Sequence, residues 1–200
     1  MMKPAQLDLL SPEPGLPEGL HYESDFLSAA EESDLARRLG DEPLAPFEFH
    51  GFKGNRRTIS YGWHYAFDGS GLRPSEAMPD WLLEVRARAA RMAELAPDAL
   101  AHALLIEYSP GAGIGWHRDR PVFGDVVGIS LLAPARLRFR REHEGKWQRA
   151  NVIAEPRSAY LLRGPARSEW EHSIPPMEKL RYSITFRSLY PPRDGEGDRV

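Results

Sequence analysis

The sequence predicts an α+β fold, mainly β, with two N-terminal helices packed on one face of a β-sandwich or jelly roll. Three observations carry that expectation. Helical spacing of apolar residues is confined to the part of the chain before about residue 100. Beyond it, segments rich in Val, Ile, Leu, Phe and Tyr follow one another with Pro and Gly between them. Two of those segments alternate polar and apolar residues with period two, as strands of a sheet with one wet face do. Helices followed by a run of strands, rather than alternating with them, belong on one side of the sheet.

Residues 1–22 form an N-terminal extension rich in Pro and Leu, expected to wrap over the domain. Ser28-Ala29-Ala30-Glu31 is a capping-box pattern, which opens a helix running to about Leu39, ahead of Gly40. A second helix is expected to begin with Pro79 at its first position and to run to about Leu95. Leu82, Val85, Ala89, Met92 and Leu95 follow helical spacing there, with Arg86, Arg88 and Arg91 mostly on the wet side. Strands are expected at His102–Tyr108, Val126–Leu132, Leu137–Arg141, Trp147–Ala154, Ala159–Leu162 and Leu180–Leu189.

Composition narrows the function classes. A chain of 200 residues with 42% hydrophobic and 28% charged content suffices for one domain with its own core. No apolar run approaches the roughly 20 residues of a membrane span. The N-terminus lacks the charged start and apolar stretch of a secretory signal, so a cytoplasmic, monomeric protein without a membrane partner is expected. Cysteine is absent, which excludes disulfides, zinc–thiolate sites and iron–sulfur clusters and leaves His and carboxylate as metal ligands. The net charge of −3 means that contact with nucleic acid has to come from local clusters. Two exist: Lys53-Gly54-Asn55-Arg56-Arg57, and Arg136, Arg138, Arg140 and Arg141 with Lys146 and Arg149. Either can equally be a solvated face.

The first chemical feature above this background is Gly113-Ile114-Gly115-Trp116-His117-Arg118-Asp119. In an extended strand, residues two apart point to the same side, so His117 and Asp119 can present imidazole and carboxylate to one metal. Two histidines and one carboxylate leave three positions of an octahedral ion open, the arrangement of non-haem Fe(II) oxygenases. His172, in Glu171-His172-Ser173-Ile174-Pro175-Pro176, is the best candidate for the third ligand. A second anchor is Arg181-Tyr182-Ser183-Ile184-Thr185-Phe186-Arg187. Period two puts Arg181, Ser183, Thr185 and Arg187 on one face. Two guanidinium groups there suit a dicarboxylate, since Arg binds carboxylate in a planar fork. The alternative is an exposed edge strand.

These residues resemble the AlkB family of Fe(II)- and 2-oxoglutarate-dependent dioxygenases. The motifs are Tyr108-Ser109-Pro110-Gly111-Ala112-Gly113, His117-Arg118-Asp119, His172 and Arg181 through Arg187, in the family's order. The resemblance implies a double-stranded β-helix (jelly roll) over about 100–190, a substrate lid over about 45–80, and oxidative demethylation of N-alkylated bases in DNA or RNA. By motif match His117, Asp119 and His172 would hold Fe(II). Arg181 and Tyr108 would take the distal carboxylate of 2-oxoglutarate. Arg187 would lie near its chelating end, with Ser183 where the family often has Asn. O2 is the second co-substrate, and the products are succinate and formaldehyde.

Arg56, Arg57, Tyr61, Trp63 and Tyr65 resemble the lid, where aromatics beside arginines can stack on a flipped base. Two positions depart from the family's pattern. Ile106 stands where Asn is common, and Pro121 where DNA-repair members often carry an acid. The lid and Met78-Pro79-Asp80-Trp81 look closer to the branch with tRNA-wobble enzymes. The rival readings are the same chemistry on a methylated protein side chain or small molecule, and a non-catalytic nucleic-acid binding module.

Overall fold

The computed structural model describes residues 15–49, 52–66 and 71–190. Residues 1–14 of the expected extension and His50 lie outside the described residues, as does the side chain of Lys53.

The larger of two antiparallel sheets has seven strands. In spatial order they are β1 (Leu20–Glu23), β11 (Ala159–Leu162), β8 (Phe123–Leu131), β13 (Arg181–Leu189), β6 (His102–Tyr108), β3 (Phe52–Tyr61) and β2 (Ala45–Phe49). The smaller sheet runs β10 (Lys146–Ala154), β9 (Ala135–His143), β12 (Glu171–Ile174) and β7 (Ile114–His117). A separate ribbon pairs β4 (Trp63–Ala66) with β5 (Gly71–Pro74). The long crossings between the two sheets are those of a jelly roll.

The two faces of the large sheet bury two different cores. On the outer face Leu105, Val127, Ile129, Leu161, Ile184 and Phe186 meet the apolar stripes of α1 (Ala29–Asp41) and α2 (Asp80–Met92). On the inner face Ile106, Val126, Tyr160 and Leu162 meet Leu137, Phe139, Val152 and Ile174 of the small sheet. Alternation decides the sorting: odd residues of β13 face one core and even residues the other.

The local signals act as the sequence suggests, with three adjustments. Ser28 caps α1, its Oγ accepting from the Glu31 backbone while the Glu31 carboxylate accepts from Ser28 N–H. Pro79 is the residue before α2 rather than its first residue, because its extended ψ of 154° starts the helix at Asp80; the helix ends at Met92, short of Leu95. Part of the expected N-terminal extension is strand β1, which closes the edge beside β11. The strand expected at Leu180–Leu189 starts at Arg181 and is bonded to β6 and β8 on both sides, which rules out the alternative of an exposed edge strand.

Two glycines are required by geometry. Gly62, at φ +74, turns the chain from β3 into β4, and a Cβ there would meet Ala101 O at 2.1 Å. Gly128, on β8, lets the Tyr160 ring of β11 lie flat across the inner face, where a Cβ would meet Tyr160 Cζ at 2.2 Å. Gly128→Ala is therefore expected to cost about 1–3 kcal/mol, as overpacking does. Chemical unfolding of the Gly128→Ala, Tyr160→Ala and double variants checks this. The glycine substitution should cost much less once Tyr160 is Ala.

Candidate active site

Strands β7 and β12 place the imidazoles. His117 and His172 are directly opposed in the register, with ring centroids 4.3 Å apart. His117 Nδ1 lies 2.9 Å from Gly115 O, which assigns the proton to Nδ1 and leaves Nε2 with a free lone pair. Burial lowers the pKa of both rings, that of His172 to about 3, so both are neutral donors at physiological pH.

Asp119 joins them by a route the sequence does not show. β7 ends at His117, so Asp119 sits in the following loop and not on the strand. Buried Arg167 holds that loop, donating from Nε and Nη2 to the carbonyls of Gly124, Phe123 and Arg120 at 3.0, 2.7 and 2.6 Å. Arg187 binds Asp119 Oδ1 through Nε at 2.9 Å and Nη2 at 2.8 Å. Burial opposes ionisation, but Arg187 and the neighbouring His172 and His117 hold the Asp119 carboxyl below the usual carboxylate range. Its Oδ2 stands 3.8 Å from His172 Nε2, beyond hydrogen-bonding distance. Among the described residues no three His, Asp or Glu side chains stand close enough together to hold a metal ion as they are. The donor chemistry nevertheless fits an Fe(II)-type ion: two neutral imidazoles and one carboxylate whose second oxygen bonds neither histidine.

The inner face of β13 then carries Arg181, Ser183, Thr185 and Arg187, all buried. Arg181 is 0% exposed, and only its Nε has a partner, Ser130 Oγ at 3.0 Å. Its two terminal nitrogens are buried with no hydrogen-bond partner among the described residues. The guanidinium lies 5.0 Å from the centroid of the Tyr108 ring, its directly opposed neighbour on β6. Leaving such donors unpaired costs several kcal/mol, so the pocket is built for an anion. Arg181 and Arg187 share the inner face of β13 and Arg187 binds Asp119, so the anion pocket and the histidine–aspartate cluster line one chamber, which Tyr160 also faces. Burial raises its phenol to about 12, so it stays neutral.

Of the residues expected in the lid, the structure brings some to this chamber and turns others away. Arg56 pairs with Tyr108 on the inner face, stacks over Phe47 at 4.5 Å and lies in the field of His117. Tyr65 receives Arg120, the residue after Asp119, at 5.0 Å from its ring centroid, and Trp63 shares its face of β4. Arg57 and Tyr61 point to the outer face, which corrects their expected role. Arg57 is bidentate to buried Glu107, at 2.9 and 2.5 Å. Tyr61 is in the helix-side core with its hydroxyl on Glu42. Sequence reasoning also missed Tyr160, Arg167 and His102. His102 is buried beside Arg187, with Nδ1 3.4 Å from Nη1. Cross-strand pairing reveals Tyr160 and His102, and the short helix Gly164–Ser168 brings Arg167 to the loop.

Residues 19–187 match the family model of the 2OG-Fe(II) oxygenase superfamily. The chain is 32% identical over 157 residues to the alpha-ketoglutarate-dependent dioxygenase alkB homolog 7, mitochondrial, of Bos taurus, covering 74% of this chain and 64% of that protein. It is 31% identical over 111 residues to the probable RNA/DNA demethylase ALKBH6 of Danio rerio, covering 56% of this chain and 45% of that protein. Over 210 residues it is 26% identical to the alkylated DNA repair protein ALKBH8 homolog of Arabidopsis thaliana, covering 91% of this chain and 58% of that protein. The alignments thus span from about half to just under two thirds of these relatives' lengths. The chain belongs to the 2OG-Fe(II) oxygenase superfamily, and the relatives it is similar to are AlkB homologues. The fold is shared with OsALKBH1 (TM-score 0.64, 16% identity, 86% of this chain and 97% of that one). It is also shared with a Pseudomonas putida prolyl-4-hydroxylase (TM-score 0.61, 14% identity, 86% and 93%).

The neutral histidines set a pH dependence. Their folded pKa values lie below the unfolded value of 6.5, so the unfolded chain binds protons that the folded site refuses. Stability of the metal-free protein should therefore be full above about pH 6.5 and fall as pH drops toward 3. In His172→Gln this slope should flatten, measured by denaturant midpoints across that range.

Proposed function

We propose that the chain is an Fe(II)- and 2-oxoglutarate-dependent dioxygenase that oxidatively removes alkyl groups from the nitrogens of bases in DNA or RNA. The observation that carries this reading is the fully buried Arg181, with two unpartnered guanidinium nitrogens, in one chamber with His117, Asp119 and His172.

His117, Asp119 and His172 would hold the iron. Bound there with 2-oxoglutarate and O2, iron supplies the oxidation of a C–H bond, with succinate and CO2 as the other products. The chain's own residues do the rest. Arg181 and Tyr108 take the distal carboxylate, and Ser183 lies in the same row of the sheet face. Arg187 keeps Asp119 ionised and in place, with one oxygen toward His172. The hydrogen bond from His117 to Gly115 keeps Nε2 unprotonated. Phe139 and Val126 wall the chamber against water. Arg56, Trp63 and Tyr65 at the rim suit a base held between aromatic and cationic groups, with Arg120 near a phosphate. The names of the Danio and Arabidopsis relatives, an RNA/DNA demethylase and an alkylated-DNA repair protein, support a nucleic-acid substrate. A methylated protein side chain gains some ground from Arg57, which Glu107 withdraws from the lid.

With Fe(II), 2-oxoglutarate and a panel of methylated DNA, tRNA and peptide substrates, mass spectrometry should record loss of a methyl group from nucleic acid, with succinate and formaldehyde. His117→Ala should abolish both products. If no alkylated nucleic acid raises 2-oxoglutarate turnover above its uncoupled rate, the substrate assignment fails. Arg181→Met should raise the KM for 2-oxoglutarate at least about tenfold, the worth of one charged hydrogen bond. An unchanged KM would remove the carboxylate from this pocket.

A further inference from the structure

The solvent face of the small sheet is unlike the rest of the surface. On β9, Arg136, Arg138 and Arg140 project outward, opposite Ile153, Asn151 and Arg149 of β10. Arg140 lies between two indoles, 4.4 Å from the Trp116 centroid and 4.8 Å from that of Trp147. Arg138 lies 5.1 Å over the other part of the same Trp116 platform. Among the described residues of these strands the acids on this face are Glu142 and Glu171, and Glu171 is already bound to Arg140 at 2.7 Å. Four arginines against two glutamates, in a chain of net charge −3, make this a local positive field.

Folding accounts for Arg140, bound to Glu171 and stacked on Trp116, but not for the rest of the face. Arg140 and Arg149 are directly opposed, a like-charge pair that weakens a ladder. Arg136 and Arg149 are exposed and bond to no carboxylate among the described residues. Trp147 keeps 47% of its surface in solvent although one of its faces is stacked on Arg140. β10 is moreover an edge strand, whose outer edge pairs with no strand among the described residues.

We infer that this face is a second binding surface, for single-stranded nucleic acid, on the far side of the small sheet from the histidine–aspartate chamber. Guanidinium groups spaced along β9 and β10 fit a phosphate backbone, and the open indole face of Trp147 fits an unpaired base, a pairing that tolerates any sequence. An acidic polypeptide would use the arginines and leave the indole without a role. The surface recognises the strand and not its alkyl group, so it stands apart from the catalytic reading.

The test uses the full chain without metal and a fluorescein-labelled, unmodified 20-mer of single-stranded oligothymidylate, read by anisotropy across a salt series. Arg136→Ala/Arg149→Ala should weaken binding at low salt and reduce the slope of log K against log salt by about 1.4, roughly 0.7 for each phosphate no longer neutralised. Trp147→Ala should weaken binding by about tenfold while leaving that slope unchanged. Unaltered melting temperatures show that these exposed substitutions leave the fold intact. Wild-type affinity and slope in both variants would overturn the inference. So would binding of polyglutamate in preference to the oligonucleotide, or weakening by Arg56→Ala alone. If this surface binds as expected while no alkylated strand stimulates turnover, the catalytic reading fails and this one stands.

Discussion

The ion pair between Arg187 and Asp119 ties together the parts of the molecule that chemistry needs. Arg187 sits on the central strand of the large sheet, and Asp119 lies in the loop leaving the edge of the small one. Both groups are buried, so neither is cheap to remove from water. Their attraction offsets that cost only because the guanidinium meets the carboxylate through two nitrogens. Removing one partner would leave the other charged and stranded, a loss of about 3–5 kcal/mol in comparable buried pairs. The same contact fixes which carboxylate oxygen remains near His172. A loop that would otherwise wander is thus registered against two strands.

A polar row on the inner face of a central strand is an expense that the outer face makes tolerable. Leu105, Ile129, Ile184 and Phe186 pack against both long helices without a charged group among them. That core can hold the sheet while Arg181, Ser183, Thr185 and Arg187 line the other side. The orphaned nitrogens of Arg181 mark where stability yields to binding. A hydrophobic residue there would pack better and would have nothing to hold a dicarboxylate with.

Much of this was legible in the sequence, for reasons that differ by residue. Period two correctly grouped Arg181 with Arg187, because alternation within one strand is a local property. The capping box of α1 was legible for the same reason. His172 was the best candidate for the third ligand from the residues themselves and the resemblance agreed, but its direct opposition to His117 is not local and shows only in the strand register. Asp119 reached the cluster through a loop held by Arg167, and no alternation pattern reports a loop. The lid failed at Arg57 and Tyr61 because alternation says that neighbours diverge and not which of them faces the chamber. That choice belongs to Glu107 and Glu42, each distant in sequence.

The same alternation gives the two histidine strands a second anchorage. Trp116 and Glu171 immediately precede His117 and His172, so as the imidazoles turn inward these side chains turn outward. Arg140 engages both of them, stacking on Trp116 and bonding Glu171 at 2.7 Å. One guanidinium on the solvent face therefore holds the two strands whose opposite sides carry the imidazoles. β12 pairs irregularly with β7 just beyond His172, where ladder hydrogen bonds alone specify the register weakly. An outside brace across that joint supplies what the ladder lacks. It also means that the arginine–tryptophan face and the chamber share one mechanical element, the short ladder in which His117 and His172 are opposed.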